Sequence, residues 1–320
     1  MSYAATASLA TLERRAELLA RIRAFFAARG VLEVETPALS AAGVSDLALE
    51  SVTAAARSLG PGPRFLHTSP EYAMKRLLAA GSGDIYQICR VFRDDELGRW
   101  HQPEFTMLEW YRVGYDDERL MDEVDALLRA VLADGVVRRT VRVRYSDALE
   151  RALGVDADAS VARVSAKLTE RGIDMPRGLS RDALLDLAFA SVVVPSFAAD
   201  ALTFVCDYPA TQAALARLKL GSPVVAARFE VFARGIELAN GFHELTDAAE
   251  QRRRFERELD ARRRAGRPTP PLDEDLLAAL GRGLPDCAGV AIGVDRLVAL
   301  ALGLDGVAAA MSFAHPPPRG

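Results

Sequence analysis

Two stretches rich in Ile, Val, Phe, Tyr and Trp, residues 85–93 and 104–112, flank the polar segment 94–103. Strand formers on either side of a polar connector read as an antiparallel hairpin. That pair constrains the fold more than any other feature, because it commits the chain to an antiparallel sheet. Its connector is long for a hairpin, and such loops tend to carry function. Along the second stretch, Phe105, Met107, Glu109 and Tyr111 alternate onto one face. A carboxylate and a phenol at the end of an otherwise apolar face are unusual for a plain core.

The remaining elements fit around that hairpin. An amphipathic helix over 12–29 places Leu12, Leu19, Ile22 and Phe26 on one face and stops at Gly30. A strand follows over 31–36, ended by Pro37. A short strand at 65–68 runs into Ser69, Pro70 and Glu71, which read as N-cap, first position and first-turn acid of a helix reaching Ala80. Helices are predicted over 117–133 and 160–190, the second broken at Pro176 and Gly178. Strands over 224–232 and 236–244 meet at Ala233, Arg234 and Gly235. A charged helix over 247–266 starts with Asp247 and Glu250 as a capping pair. A strand at 289–292 and a helix at 295–302, ended by Gly303, complete the order. Antiparallel strands interspersed with helices predict an α+β fold.

Composition removes several classes of function. No apolar run approaches the ~18 residues of a membrane span, and the N-terminus lacks a signal-peptide core. Cys89, Cys206 and Cys287 are scattered, without metal or redox spacing, which fits a reducing cytoplasm. A net charge of −4 argues against an extensive grip on nucleic acid. The arginine-rich segment 252–264 has few apolar positions, chiefly Phe255 and Leu259, and reads as a solvated helix laced with acidic partners. His67, His101, His243 and His315 show no metal-ligand spacing. No Ser-His-Asp, Cys-His, P-loop or Rossmann pattern is present, which disfavours covalent catalysis and the common nucleotide folds.

Two features suggest chemistry. With a turn centred on Ala233 and Arg234, Glu230 and Glu237 oppose each other across the strands. Like charges so placed repel, so a cation is expected beside them, and Mg²⁺ suits carboxylate oxygens. The alternative is a surface hairpin with two solvated glutamates. Asn240, Phe242 and Glu244 share a face by alternation, which leaves Glu237 on the other. A bulge near Ala239 would be required to bring both groups into one pocket. The second feature is Arg93 at a strand end and Arg296 at a helix start, both suited to a planar grip on phosphate. Gly289 and Gly293 leave nearby backbone open to a ligand. Together these observations describe a cytoplasmic α+β enzyme that binds a phosphorylated ligand with Mg²⁺.

Several segments carry a resemblance. The sequence RGVLEVETP at 29–37 resembles motif 1 of class II aminoacyl-tRNA synthetases. FRDDE at 92–96, with RWHQPEFTMLEWY at 99–111, resembles motif 2 of the lysyl subgroup, and GVAIGVDR at 289–296 resembles motif 3. Within that group, TSPEY at 68–72, KRLLAAG at 75–81, GIELANGFHELTD at 235–247 and PDC at 285–287 are most similar to the lysyl-synthetase-like ligases that join (R)-β-lysine to elongation factor P. His243 and Ala291 stand where lysyl-tRNA synthetases usually carry Ser and Gly.

The resemblance implies one catalytic domain over 1–320, with an antiparallel sheet flanked by helices and a homodimer interface at motif 1. Motif 1 begins within the first 40 residues, so no N-terminal OB-fold anticodon-binding domain is expected, and no stable tRNA binding. The implied chemistry uses ATP and Mg²⁺ to form an aminoacyl-adenylate in the cytoplasm, away from any membrane. By resemblance, Arg93 and Arg296 hold the α- and γ-phosphates. Asp94, Asp95, Gln102, Glu237, Leu238 and Gly293 complete the ATP site, and Glu230 and Glu237 hold Mg²⁺. The amino acid falls to Ser69, Pro70, Glu71, Glu109, Tyr111, Asn240, Phe242, Glu244 and Ala291. Asp95 stands for a usual Glu and Gln102 for a usual Asn. Rival readings are a ligase for α-lysine or another amino acid with a different acceptor, and a catalytically silent amino-acid sensor.

Overall fold

A computed structural model describes residues 4–316. The chain forms two compact units, Met1–Tyr115 with Leu245–Gly320, and Asp116–Glu244.

In the first unit the strands lie in the order Leu32–Glu33, Ile85–Phe92, Glu104–Val113, Cys287–Gly293, with only the first pair parallel. The predicted hairpin is present, with Ile85 opposite Tyr111 and Phe92 opposite Glu104. The N-terminal helix runs Leu9–Ala27, earlier than its apolar pattern suggests, because the Ser8 side chain accepts the Thr11 N–H. Its buried stripe is Leu18, Ile22, Phe25 and Phe26, so Leu18 takes the place predicted for Leu19. Phe26 stacks on Tyr86 at 4.5 Å and meets Trp110 edge-on at 5.3 Å, which docks this helix on the sheet. The strand predicted over 31–36 pairs only at Leu32–Glu33, at the sheet edge. Three short strands, Leu39–Ser40, Arg64–Leu66 and Thr53–Ala54, form a separate small sheet.

In the second unit the order is Ile236–His243, Val225–Ala233, Ala201–Pro209, Arg139–Arg144, and the last pair is parallel. The strand Ala201–Pro209 is buried on both faces, so it lacks the alternation that marks a half-exposed strand. Helices Tyr145–Leu153, Val161–Glu170 and Arg181–Ala188 pack Leu149, Leu168 and Leu185 into a core with Val205. The break predicted at Pro176 and Gly178 separates the last two helices.

Candidate active site

In the first unit, Glu109 is the centre of a buried polar cluster. It is 3% exposed and lies in the middle of the strand Glu104–Val113. Tyr111, two residues on and so on the same face, donates its hydroxyl to Glu109 Oε1 at 2.7 Å. Ser69 donates to Oε2 at 2.6 Å and accepts the Glu71 N–H at 3.0 Å. Pro70, not Ser69, occupies the N-cap position of the helix Glu71–Ala79, so the Ser69 hydroxyl caps from one residue further out. Ala291 sits directly opposite Glu109 in the sheet, and Gly289 opposite Tyr111. Glu71 receives the ammonium of the buried Lys75 at 2.6 Å. Sequence reasoning passed over Lys75; its signal is the i,i+4 spacing from Glu71 on one helix. Burial first, and then the charge of Glu71, pushes the Glu109 carboxyl up to about 7, while Ser69, Tyr111 and Lys75 oppose the rise.

Arg93 and Arg296 both face the connector 94–103. Arg93 donates Nε to the Thr68 carbonyl at 3.3 Å, approaches Glu96 at 3.7 Å, and lies over the Phe105 ring. Arg296 donates Nε to the Trp100 carbonyl at 3.0 Å, and its Nη2 meets His101 Nε2 at 2.8 Å. Gly293 is the N-cap of the helix Val294–Leu302, and a Cβ there would touch the Arg296 side chain at 3.6 Å. Asp95 holds a left-handed backbone, φ 62, braced by the Asp94 carboxylate on its N–H at 3.0 Å. Gln102 is buried, and its Oε1 accepts the His315 N–H at 2.8 Å.

In the second unit the hairpin differs from its predicted register. Arg234 and Gly235 both take positive φ, 51 and 76, and form the two-residue loop between Ala233 and Ile236. Glu230 therefore lies opposite Asn240, not Glu237, and Glu237 lies opposite Phe232. The register shifts between Val231 and Phe232, and Leu238 is the extra residue. That bulge turns Glu237 onto the face shared by Arg228, Glu230, Phe232, Asn240 and Phe242. Glu244, buried, continues beyond the strand through a bridge to Ala216.

The cation expected beside Glu230 is present as Arg228, which sequence reasoning missed. It donates Nη2 to Glu230 Oε1 at 2.5 Å, Nη1 to the Gln212 carbonyl at 2.8 Å and Nε to Asn240 Oδ1 at 3.3 Å. The Tyr208 ring lies 4.5 Å beneath it. Its signal was the two-residue spacing from Glu230 on one strand face. Burial raises the Glu230 carboxyl, Arg228 lowers it, and Glu237 raises it again. Glu230 and Glu237 share one face, and carboxylate oxygens so placed suit a hard divalent cation such as Mg²⁺.

The arginine-rich helix Ala248–Arg264 is laced with acids as predicted. Glu250 meets Arg253 and Arg254, each at 3.0 Å, and Arg252 pairs with Glu274. Only half of its capping box forms: Asp247 accepts the Ala249 and Glu250 N–H groups, while the Glu250 carboxylate turns to the arginines. Arg262 is an exception to the solvated reading. It is fully buried and donates to Glu50 and to the Asp46, Leu49 and Pro268 carbonyls.

A family model described as tRNA synthetases class II (D, K and N) matches residues 1–316. The chain belongs to the class II tRNA synthetase family. Similar proteins include the elongation factor P–(R)-β-lysine ligase of Salmonella paratyphi B, 49% identical over 316 residues, covering 96% of each chain. The protein of that name from Edwardsiella ictaluri is 50% identical over 321 residues, covering 98% of this chain and 97% of its own. Within the class II family fold, the α+β architecture predicted from the strand and helix pattern is thus established. Among the described residues, no helix is long and apolar enough to cross a membrane.

Proposed function

We propose that this class II synthetase relative is an AMP-forming ligase that activates (R)-β-lysine and transfers it to a lysine of elongation factor P. In the first step the substrate carboxylate attacks the α-phosphorus of ATP, forming the aminoacyl-adenylate and releasing pyrophosphate. In the second, a lysine ε-amine of elongation factor P attacks the adenylate carbonyl, forming an amide and releasing AMP. Neither step needs a protein nucleophile; positioning and charge neutralisation carry the chemistry.

Arg93 and Arg296 would grip the α- and γ-phosphates, with Asp94, Asp95, Leu238 and Gly293 lining the nucleotide site. Gln102 is also assigned there by resemblance, although its amide faces His315. Glu230 and Glu237 would hold Mg²⁺, which neutralises phosphate charge when bound. Glu109, Glu71, Glu244 and Asn240, with Ser69, Tyr111 and Phe242, would receive the two ammonium groups and the chain of the diamino acid. The observation that carries the amino-acid assignment is the strand register that sets Ala291 beside Glu109. There a methyl replaces the hydrogen usual in lysyl-tRNA synthetases.

On this reading the whole chain acts as one catalytic domain, as a cytoplasmic homodimer that pairs through motif 1 and does not hold tRNA. Leu32, 56% exposed, supplies apolar surface in that segment.

ATP–pyrophosphate exchange with (R)-β-lysine and α-lysine tests the assignment. A methyl-sized change in a packed pocket is worth ~1–3 kcal/mol of discrimination, so kcat/KM should favour (R)-β-lysine by about tenfold or more. Preference for α-lysine would refute the amino-acid assignment. Mass spectrometry of elongation factor P after incubation with enzyme, ATP and amino acid tests the acceptor.

A further inference from the structure

The helix Val294–Leu302 carries Arg296 in its first turn, yet its N-cap is Gly293, which offers no side-chain cap. The turn is anchored from outside. Asp295, 2% exposed, accepts the Thr106 backbone N–H at 2.7 Å and the Arg15 guanidinium at 2.7 Å. The same Arg15 donates Nη1 to the Ala310 carbonyl at 3.1 Å and Nη2 to the Thr106 hydroxyl at 2.9 Å.

The position of Thr106 explains the arrangement. The ladder between Glu104–Val113 and Cys287–Gly293 ends at the pair Met107–Gly293. The Thr106 N–H lies one residue past that pair, and a buried N–H left without an acceptor is costly. The Asp295 carboxylate takes the place of the missing strand. A carboxylate buried there requires a cation, and Arg15 reaches across from the helix Leu9–Ala27. One ion pair thus ties together the N-terminal helix, the hairpin strand of motif 2 and the helix of motif 3.

We propose that Arg15 and Asp295 are positioning residues for Arg296. Buried ion pairs are weak sources of stability, but a forked guanidinium fixes geometry on several acceptors at once. Here the fork fixes the rotation of the first helical turn about its axis. Arg296 is the next residue, so that rotation sets where its guanidinium points, towards the Trp100 carbonyl and the His101 ring. The inference rests on the role of Arg296 at ATP proposed above.

The test uses Arg15→Lys, which keeps the charge but cannot reach Asp295, Thr106 and Ala310 together. Calorimetric binding of a non-hydrolysable ATP analogue to the full chain is the first readout, because it does not depend on which amino acid is activated. Affinity should fall about tenfold, and kcat/KM for ATP in exchange should fall alike, while KM for the amino acid stays at the parental value. Added to Arg296→Lys, the substitution should cost less than about twofold more, because both act through one group. Parental analogue affinity in a folded Arg15→Lys chain overturns the proposal. So do losses that multiply with those of Arg296→Lys, or an equal rise in the KM for both substrates. An unaltered chain that binds the analogue but exchanges no pyrophosphate refutes the ligase reading instead, and the calorimetry still decides the positioning role. If Arg15→Lys fails to fold, Asp295→Asn, which keeps an acceptor for the Thr106 N–H, enters the same comparison.

Discussion

Replacing Glu109 by Gln separates two consequences of one buried carboxylate. Burial and the neighbouring Glu71 hold it up to about 7, against 4.5 for an ordinary glutamate. The folded chain therefore keeps a proton that the unfolded chain releases near 4.5. The sign follows from that difference. The contribution to stability is fully present below 4.5, declines as pH rises, and is lost once pH passes 7. At about 1.4 kcal/mol per tenfold change, the whole difference corresponds to about 3 kcal/mol. Glutamine keeps the volume, and the hydroxyls of Ser69 and Tyr111 can each turn to donate or accept. Glu109→Gln should then be more stable than the parent at pH 8 by ~1–3 kcal/mol, with the two nearly equal at pH 5. Glu258, raised to about 7, and Asp186, raised to about 6, add to the pH slope of both chains, so only their difference reports on Glu109. The same substitution should raise the amino-acid KM at pH 8 by about tenfold or more, since a buried ammonium loses its counter-charge. Urea denaturation at the two pH values and exchange kinetics at pH 8 decide it. A variant less stable than the parent at pH 8, or one with a parental KM, refutes the reasoning.

Three further outcomes are expected. Glu230→Gln and Glu237→Gln should each shift the Mg²⁺ midpoint of exchange upward and recover partly at high Mg²⁺, because the amide keeps one oxygen but loses the charge that holds a hard cation; a Mg²⁺ titration with unchanged midpoints would mean that neither carboxylate holds the ion. Arg296→Ala should cost ~3 kcal/mol or more in the chemical step while circular dichroism stays parental; a folded variant with full exchange would contradict its role. Gel-shift assays at physiological salt should show no retained tRNA, and micromolar retention that salt abolishes would point instead to the helix Ala248–Arg264.

Much of the local structure was legible in the sequence because it depends on near neighbours. The hairpin of Ile85–Phe92 and Glu104–Val113 followed from strand formers around a polar connector, and alternation alone placed Glu109 and Tyr111 on one face. Gly303, with φ 63, ends its helix, and Asp247 starts another, through contacts within a turn. The motifs of 29–37, 92–111 and 289–296 were sufficient to indicate the family. What sequence alone could not decide depends on partners far along the chain. The opposition of Glu230 and Glu237 was misread by the loop position and by one extra residue at Leu238, because a bulge shifts register without any signature of its own. Ala201–Pro209 lacked alternation because both of its faces are covered. Arg228 became visible only once Glu230, Asn240 and the Gln212 carbonyl converged on it. Arg15 reads as one more arginine on the outside of an amphipathic helix. Tertiary folding brings it to Asp295, 280 residues away, where a buried carboxylate requires a cation.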